Sequence, residues 1–402
     1  MGDVSLYLTA KYNVTNLRGI GMQKTCPYAK KCGGCDYTEI DYEKSLELKK
    51  QRVAELLKPF CKVDRIIGME NPYYYRNKVT TSFGMDNKKH PVAGIYQQHS
   101  HKIIEISECL IEDKQAQAVA KSIIKLLPSF KIRVYDENTG YGLLKYVQIR
   151  KGHNSGQIMV TLVTASPIFP SKNNFCKALR KLHPEVETIV QNINDRTDSL
   201  VLANRENVLY GKGFIEDTLC GRKFRISSKS FYQVNTEQTE ILYSEAIKFA
   251  NLSGKETVLD AYCGIGTIGI IASDHAGRVI GVESNRDAIR DAIINAKTNK
   301  IANITFVSED AGSFMEKAAA ENAKVDVVIM DPPRNGSDEK FINSVAKLAP
   351  ERVVYISCGP ESLANDLKVF AKCGYRAKKA ECVDMFPFST HVETVVLMSR
   401  VK

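Results

Sequence analysis

Two side chains near the C-terminus are of the types that serve as a nucleophile and a base. Cys358 lies in "YISCGP", at the end of an apolar run and against a Gly-Pro turn, and Glu393 follows 35 residues later in "HVET". A thiolate adds to electron-poor carbon, and a carboxylate can then remove a proton so that the thiolate leaves again. A buried thiol is more often only a small hydrophobe, so its position must decide. A second group is "LDAYCGIGTIGI", residues 259–270, where Gly264, Gly266 and Gly269 stand as G-x-G-x-x-G. That spacing marks a tight turn at a helix N-terminus beside a nucleoside-bearing cofactor. A third is "CPYAKKCGGC", with Cys26, Cys32 and Cys35 spaced C-x5-C-x2-C around a Gly-Gly turn. Three thiolates so close can face one centre, either an iron–sulfur cluster or a zinc ion.

The elements that must position these groups follow an alternating pattern. From about residue 255 the apolar runs "TVLD", "RVIGVE", "ITFVSED", "VDVVIMD" and "RVVYISC" are each followed by a helix-like stretch. Alternation of strand and helix predicts a parallel, doubly wound α/β sheet. Two closing strand candidates, "YRAKKAECVD" and "HVETVVLM", are joined like a hairpin, which implies an antiparallel last strand. Upstream, "DYEKSLELKKQRVAELL" predicts an amphipathic helix over about 41–58. The runs "KVTTSFGM", "YVQIRKG", "QIMVTLVTA" and "TIVQNIN" predict a β-rich α+β domain with an antiparallel sheet over 70–230. The resulting division is a leader over 1–23, a cysteine loop over 24–40 attached to the β-rich domain, a helical segment over 41–69 packed on the catalytic domain, the β-rich domain, and the catalytic domain over 231–402.

Composition narrows the class of protein. The chain of 402 residues is 44% apolar and 25% charged, as in a soluble globular protein. Lys+Arg 56 against Asp+Glu 46 gives a net charge of +10, compatible with a polyanionic partner such as RNA or DNA. No run approaches the roughly 18–20 apolar residues of a membrane span. The opening "MGDVSLYLTAKYN" lacks a secretory pattern, so a cytoplasmic chain is expected. In that compartment the 11 cysteines do not form a disulfide framework.

In doubly wound sheets, ligands sit beyond the carboxyl ends of the strands. Those ends carry Asp260, Glu283, Asp310, Asp331 and Cys358. Glu283, 19 residues after Gly264, is placed for ribose hydroxyls, which NAD and S-adenosylmethionine share. Asp310 can accept from an adenine amino group, which favours S-adenosylmethionine. A thiol and a carboxylate beside a methyl donor fit methylation at C5 of uracil. Addition of sulfur at C6 makes C5 enolate-like, and a base must then remove the C5 proton.

Taken in chain order, "FYQVN" (231–235), "DAYCGIG", "GVE", "MDPPR", "YISCGP" and "HVET" resemble the RNA (uracil-5-)methyltransferase family. The resemblance spans about residues 24–400. It implies a class I methyltransferase fold, Cys358 as nucleophile and Glu393 as proton acceptor. It further implies Gln233, Tyr262, Glu283, Asp310 and Asp331 at or beside S-adenosylmethionine, and Phe231 as an aromatic for the target base or for the core. Thr267 departs from the family, which often has Asn there.

A subset of the family carries a [4Fe–4S] cluster through this cysteine spacing, with Cys109 of "ISECLIED" matching the fourth ligand. This subset implies 23S ribosomal RNA as the substrate, with a T-loop uridine of tRNA as the alternative and a monomer assumed. The cluster is then expected to be structural, shaping the β-rich domain and its RNA-facing surface. Many relatives begin with a small β-barrel RNA-binding module, which the short leader over 1–23 leaves no room for. The aromatic and basic stretch "NPYYYRNKV" and the basic "LLKYVQIRKG" offer RNA contacts or a core-edge cluster. An NAD-dependent oxidoreductase explains the glycines but gives Cys358 and Glu393 no task. A non-catalytic iron–sulfur RNA-binding protein would not need that pair either.

Overall fold

A computed structural model describes residues 24–401 apart from 87, 89, 99, 101 and 199. The leader expected over 1–23 lies outside these residues. Helix α1 (Tyr42–Leu57) leads into strand β1 (Val63–Ile67). Then come β2 (Lys78–Met85), β3 (Pro91–Tyr96), β4 (Ile103–Glu105), helix α2 (Lys114–Leu126), β5 (Leu144–Lys151), β6 (Ile158–Thr164), helix α3 (Lys172–Leu182), β7 (Val186–Ile193) and β8 (Arg205–Tyr210). A hairpin of β9 (Phe214–Leu219) and β10 (Arg222–Ser227) precedes α4 (Thr236–Ala250). The remainder alternates: β11 (Thr257–Ala261), α5 (Thr267–Ala272), β12 (Arg278–Glu283), α6 (Arg286–Thr298), β13 (Ile304–Ser308), α7 (Ala311–Ala320), β14 (Val327–Met330), α8 (Glu339–Leu348), β15 (Arg352–Ser357), α9 (Pro360–Lys372), β16 (Tyr375–Val383) and β17 (Glu393–Arg400).

These last strands build an eight-stranded sheet in the order β1-β16-β17-β15-β14-β11-β12-β13. Strands β11 to β15 run parallel, and β17 lies antiparallel between β15 and β16. Their apolar runs are explained by burial on both faces, because alternate residues enter opposite cores. Val327, Ile329, Val354 and Ile356 face one core with Leu242, Ala246 and Phe249 of α4. Val328, Met330, Val353 and Tyr355 face the other, with Phe341 of α8 and Leu363 of α9. The order reverses between β11 and β14, which opens a crevice at their carboxyl ends.

The second, seven-stranded sheet has the order β4-β3-β2-β5-β6-β7-β8 and buries one face under α2 and α3. The expected antiparallel arrangement needs one correction: β6 and β7 are parallel. A parallel pair requires a crossover, and α3 supplies it. Another element escaped the sequence pattern: β1 pairs parallel with β16 and so extends the eight-stranded sheet. Its residues "VDRII" do not alternate, and both ends are buried while the middle is not. Among the described residues, no helix is long and apolar enough to cross a membrane.

Helix α1 is riveted to the far end of the chain. Val53 and Leu57 enter the same core as α8 and α9, while the Lys49 ammonium meets the Asp384 carboxylate at 2.5 Å with both side chains fully buried. The hydroxyl of Tyr42 donates to the second Asp384 oxygen at 2.7 Å. Breaking one member of such a pair leaves an uncompensated charge. Lys49→Met is therefore expected to cost about 3–5 kcal/mol, read as a lower denaturant midpoint in urea unfolding.

Candidate active site

The carboxyl end of β11 enters the glycine loop through backbone shapes that few side chains accept. Tyr262, Gly264 and Gly266 have φ of +64°, +54° and +81°, and Gly266 caps α5. Gly269 is required for a different reason. Its N–H donates to Asp260 Oδ2 at 2.7 Å, and a Cβ there would lie 2.8 Å from the same oxygen. Above Gly264, by contrast, a Cβ would meet nothing within 4 Å. The loop thus closes tightly on its own strand and opens toward the crevice.

An acidic row lines that crevice. Glu283 accepts from the N–H of Gly264 at 3.2 Å and from that of Asn285 at 2.8 Å. Asp310 caps α7 by accepting from Ser313 N–H at 3.0 Å with one oxygen. The Tyr262 hydroxyl sits 2.8 Å from Ser337 Oγ, and its ring packs on Phe341 at 5.5 Å. Burial pushes Asp260 up to about 8 and Asp331 up to about 7. The second oxygen of Asp260 is buried without a partner. An orphaned carboxylate oxygen beside an open glycine turn fits a ligand that carries positive charge and an N–H donor.

The two residues proposed for chemistry meet through strand register. Ser357 of β15 and Thr394 of β17 form the last antiparallel pair of their ladder; Cys358 follows the one and Glu393 precedes the other, and the Glu393 charge acts on the Cys358 thiol. Glu393 is buried, and desolvation followed by the charge of Asp331 pushes it up to about 8. The half-buried Cys358 thiol is pushed up to about 11 by burial, then by Glu393 and Asp331. The Arg334 guanidinium acts in the opposite direction on both groups. Sequence reasoning did not single out Arg334 or the unpaired oxygen of Asp260. The basic residue closing "MDPPR" and the acid ending β11 were the available signals.

Gln233 lies in the segment before α4 that bridges the two sheets. Asn77 donates from Nδ2 to the Gln233 carbonyl at 3.1 Å, and its N–H donates to the Val234 carbonyl at 2.8 Å. Phe231, just before it, leaves 66% of its surface exposed. The three tyrosines of "NPYYYRNKV" each have a partner within the fold. Tyr75 is buried with its hydroxyl on the Pro387 carbonyl, Tyr73 packs against Phe388, and Tyr74 donates to Glu108. In "LLKYVQIRKG", Lys145 and Arg150 are likewise buried.

Cys26, Cys32, Cys35 and Cys109 line one small cavity, with Tyr73 and Phe388 in its wall. Burial and the neighbouring thiols push Cys35 up to about 12, and burial with Glu112 does the same for Cys109. Among the described residues, no group of three or more His, Cys, Asp or Glu is gathered closely enough to hold a metal ion.

A family model described as tRNA (Uracil-5-)-methyltransferase matches residues 41–401. An uncharacterized RNA methyltransferase of Halalkalibacterium halodurans is 40% identical over 382 residues, covering 94% of this chain and 83% of that one. Another, of Clostridium acetobutylicum, is 41% identical over 386 residues, covering 94% and 84%. The Pyrococcus abyssi tRNA (uracil-54, C5)-methyltransferase, solved in complex with S-adenosyl-L-homocysteine, matches with a TM-score of 0.76 at 25% identity. It covers 94% of this chain and 88% of its own.

The raised carboxyls have a consequence for stability. Glu393 holds its proton up to about 8 in the folded protein and from 4.5 in an ordinary setting. Between those values unfolding releases a proton, so rising pH destabilises the fold. The unliganded protein is expected to lose stability from roughly pH 5 to pH 8. Glu393→Gln should flatten that slope by up to about 1.4 kcal/mol per pH unit, measured by urea unfolding across the range.

Proposed function

The chain belongs to the tRNA (uracil-5-)-methyltransferase family, with the class I S-adenosylmethionine-dependent fold, and on that premise we propose that it methylates C5 of a uridine in 23S ribosomal RNA. The observation carrying the mechanism is that Cys358 and Glu393 flank the last pair of the β15–β17 ladder, Ser357 with Thr394, with Asp331 and Arg334 acting on both. Sγ of Cys358 bonds to C6 of the uracil, and the C5=C6 electrons shift onto C5 and O4. S-adenosylmethionine supplies the methyl group as a sulfonium electrophile. Glu393 then takes the C5 proton, the C5=C6 bond re-forms, and the thiolate departs. Arg334 favours the thiolate and the carboxylate over their neutral forms.

Gln233, Tyr262, Glu283, Asp310 and Asp331 are assigned to the cofactor. Glu283 holds the ribose and Asp310 the adenine edge with its uncommitted oxygen. Asp260 is added to that set, because its orphaned Oδ1 fits the cationic part of the methyl donor. Residues 231–402 form the methyltransferase domain, and 70–230 form the β-rich domain that meets RNA. The exposed Phe231 ring offers a stacking surface for an extruded base.

Cys26, Cys32, Cys35 and Cys109 are proposed as ligands of a [4Fe–4S] cluster. One thiolate per iron suits four thiols spread around a cavity, whereas tetrahedral zinc needs all sulfurs within about 2.3 Å of one point. The cluster, when bound, supplies a cross-link between the segments that carry these cysteines. It is also what favours ribosomal RNA as the substrate. The likeness to the Pyrococcus abyssi enzyme favours a tRNA uridine as the second reading.

Both are tested by incubating the protein with labelled S-adenosylmethionine and unmodified ribosomal or transfer RNA, then mapping the labelled nucleosides. Label in 5-methyluridine of 23S RNA is expected. Label in tRNA alone would select the second reading, and label in neither RNA would overturn both. Cys358→Ala should abolish transfer, whereas Glu393→Gln should accumulate a covalent protein–RNA adduct on denaturing gels. Because Glu393 must be ionised to take the C5 proton, resolution of the covalent adduct into free 5-methyluridine RNA should speed up with pH toward about 8. A rate of adduct resolution that is flat between pH 6 and pH 8 would exclude Glu393 as the base.

A further inference from the structure

The residues joining β16 to β17, 384–392, end at the base Glu393, and nearly every one of them is tethered. Asp384 N–H donates to the Ile67 carbonyl at 2.9 Å, and its carboxylate holds Lys49 and Tyr42. The Met385 carbonyl accepts from Asn235 at 3.0 Å, that of Phe386 from Lys49 at 3.0 Å, and that of Pro387 from Tyr75 at 3.2 Å. Three further tethers come from the cysteine loop. The Phe388 carbonyl accepts from the N–H groups of Asp36 and Tyr37 at 2.8 and 2.9 Å. The Thr390 N–H donates to Asp36 Oδ2 at 2.9 Å.

Phe388 itself is held at φ +66°, a conformation that disfavours a bulky side chain, and its ring forms part of the cysteine cavity wall. Such a backbone persists only where its surroundings over-determine it. Here they are the Tyr42 and Tyr73 rings, at 5.9 and 5.2 Å, and the two N–H donors that follow Cys35. Arg52 also reaches the Thr390 carbonyl, at 3.3 Å from the side of α1. The carboxylate next to Cys35 therefore grips the backbone three residues before the base.

We propose that Asp36 is a positioning residue for Glu393: by gripping Thr390 it fixes the β16–β17 connection and ties the cysteine loop to the proton-abstraction step. The inference rests on Glu393 being the base. It assigns the cysteine loop a place in the geometry of turnover beyond shaping the β-rich domain. A base displaced by a fraction of an ångström loses proton-transfer rate, while Cys358, carried by β15 on its own side of the ladder, still adds to C6.

The test uses the full chain with RNA and S-adenosylmethionine. Asp36→Ala is expected to lower kcat by roughly tenfold with KM for RNA little changed, and to accumulate the covalent adduct. Asp36→Asn keeps an oxygen for the Thr390 N–H and should restore turnover. A loss of turnover without adduct, an equal defect in Asp36→Asn, or unchanged turnover in Asp36→Ala would each overturn the proposal. Hydrogen exchange on the unmodified protein provides a reading that does not require the variant to fold. The Thr390 amide should be protected like those of β17, and rapid exchange there would also overturn it. Glu393→Gln run alongside separates the two claims. If that variant forms no adduct, the assignment of the base fails, and Thr390 exchange in Asp36→Ala alone decides the coupling.

Discussion

Antiparallel insertion of β17 beside β15 is the constraint from which the site follows. A parallel sheet exposes only the carboxyl ends of its strands on the ligand side, and Cys358 follows β15 at that side. Glu393 is the first residue of its strand. Had β17 run parallel, its first residue would stand at the opposite edge of the sheet. Reversal of this one strand brings a strand's beginning to the edge where β11, β12, β14 and β15 end. Antiparallel neighbours need only a short connection, so 384–392 lies at the rim of the crevice as well.

The same edge gathers acids that repel one another. Asp331 raises the proton affinity of both Glu393 and Cys358, and Asp331 and Glu283 raise that of Asp260. Burial dominates each of these shifts, so the crevice keeps its charge low by holding protons. Arg334 is the cation that opposes this at both Cys358 and Glu393. A positive ligand set among these groups acts in the same direction, since opposite charge favours the ionised form. A cationic methyl donor and an ionised Glu393 thus favour each other in one crevice.

Much of this was legible in the sequence because it depends on local pattern. Apolar runs each followed by a helix-like stretch predicted a parallel, doubly wound sheet, and β11 to β15 appear where those runs stand. The glycine loop declared its turn, although three glycines serve two purposes: backbone shape at Gly264 and Gly266, close packing at Gly269. The unread parts depend on partners distant in sequence. Tyr75 reaches the Pro387 carbonyl across 312 residues, and Lys49 reaches Asp384 across 335. An aromatic run beside basic residues has the same composition whether it meets RNA or closes a cavity. Strand β1 was hidden because its sheet partner lies near the other end of the chain, and the parallel pairing of β6 with β7 because pattern alone does not give strand direction.

The long-range contacts share a direction. The cysteine loop and β1 attach to β16 and to the connection after it, and α1 packs on the same unit. The seven-stranded sheet is therefore inserted, in sequence, between two parts of a single folded unit. Cys109 follows β4 of the inserted sheet, while Cys26, Cys32 and Cys35 belong to the loop that grips 388–390. Their shared cavity is the seam between the β-rich sheet and the connection that ends at Glu393. Whatever draws these four thiols together draws the two together, and it does so within a few residues of Glu393.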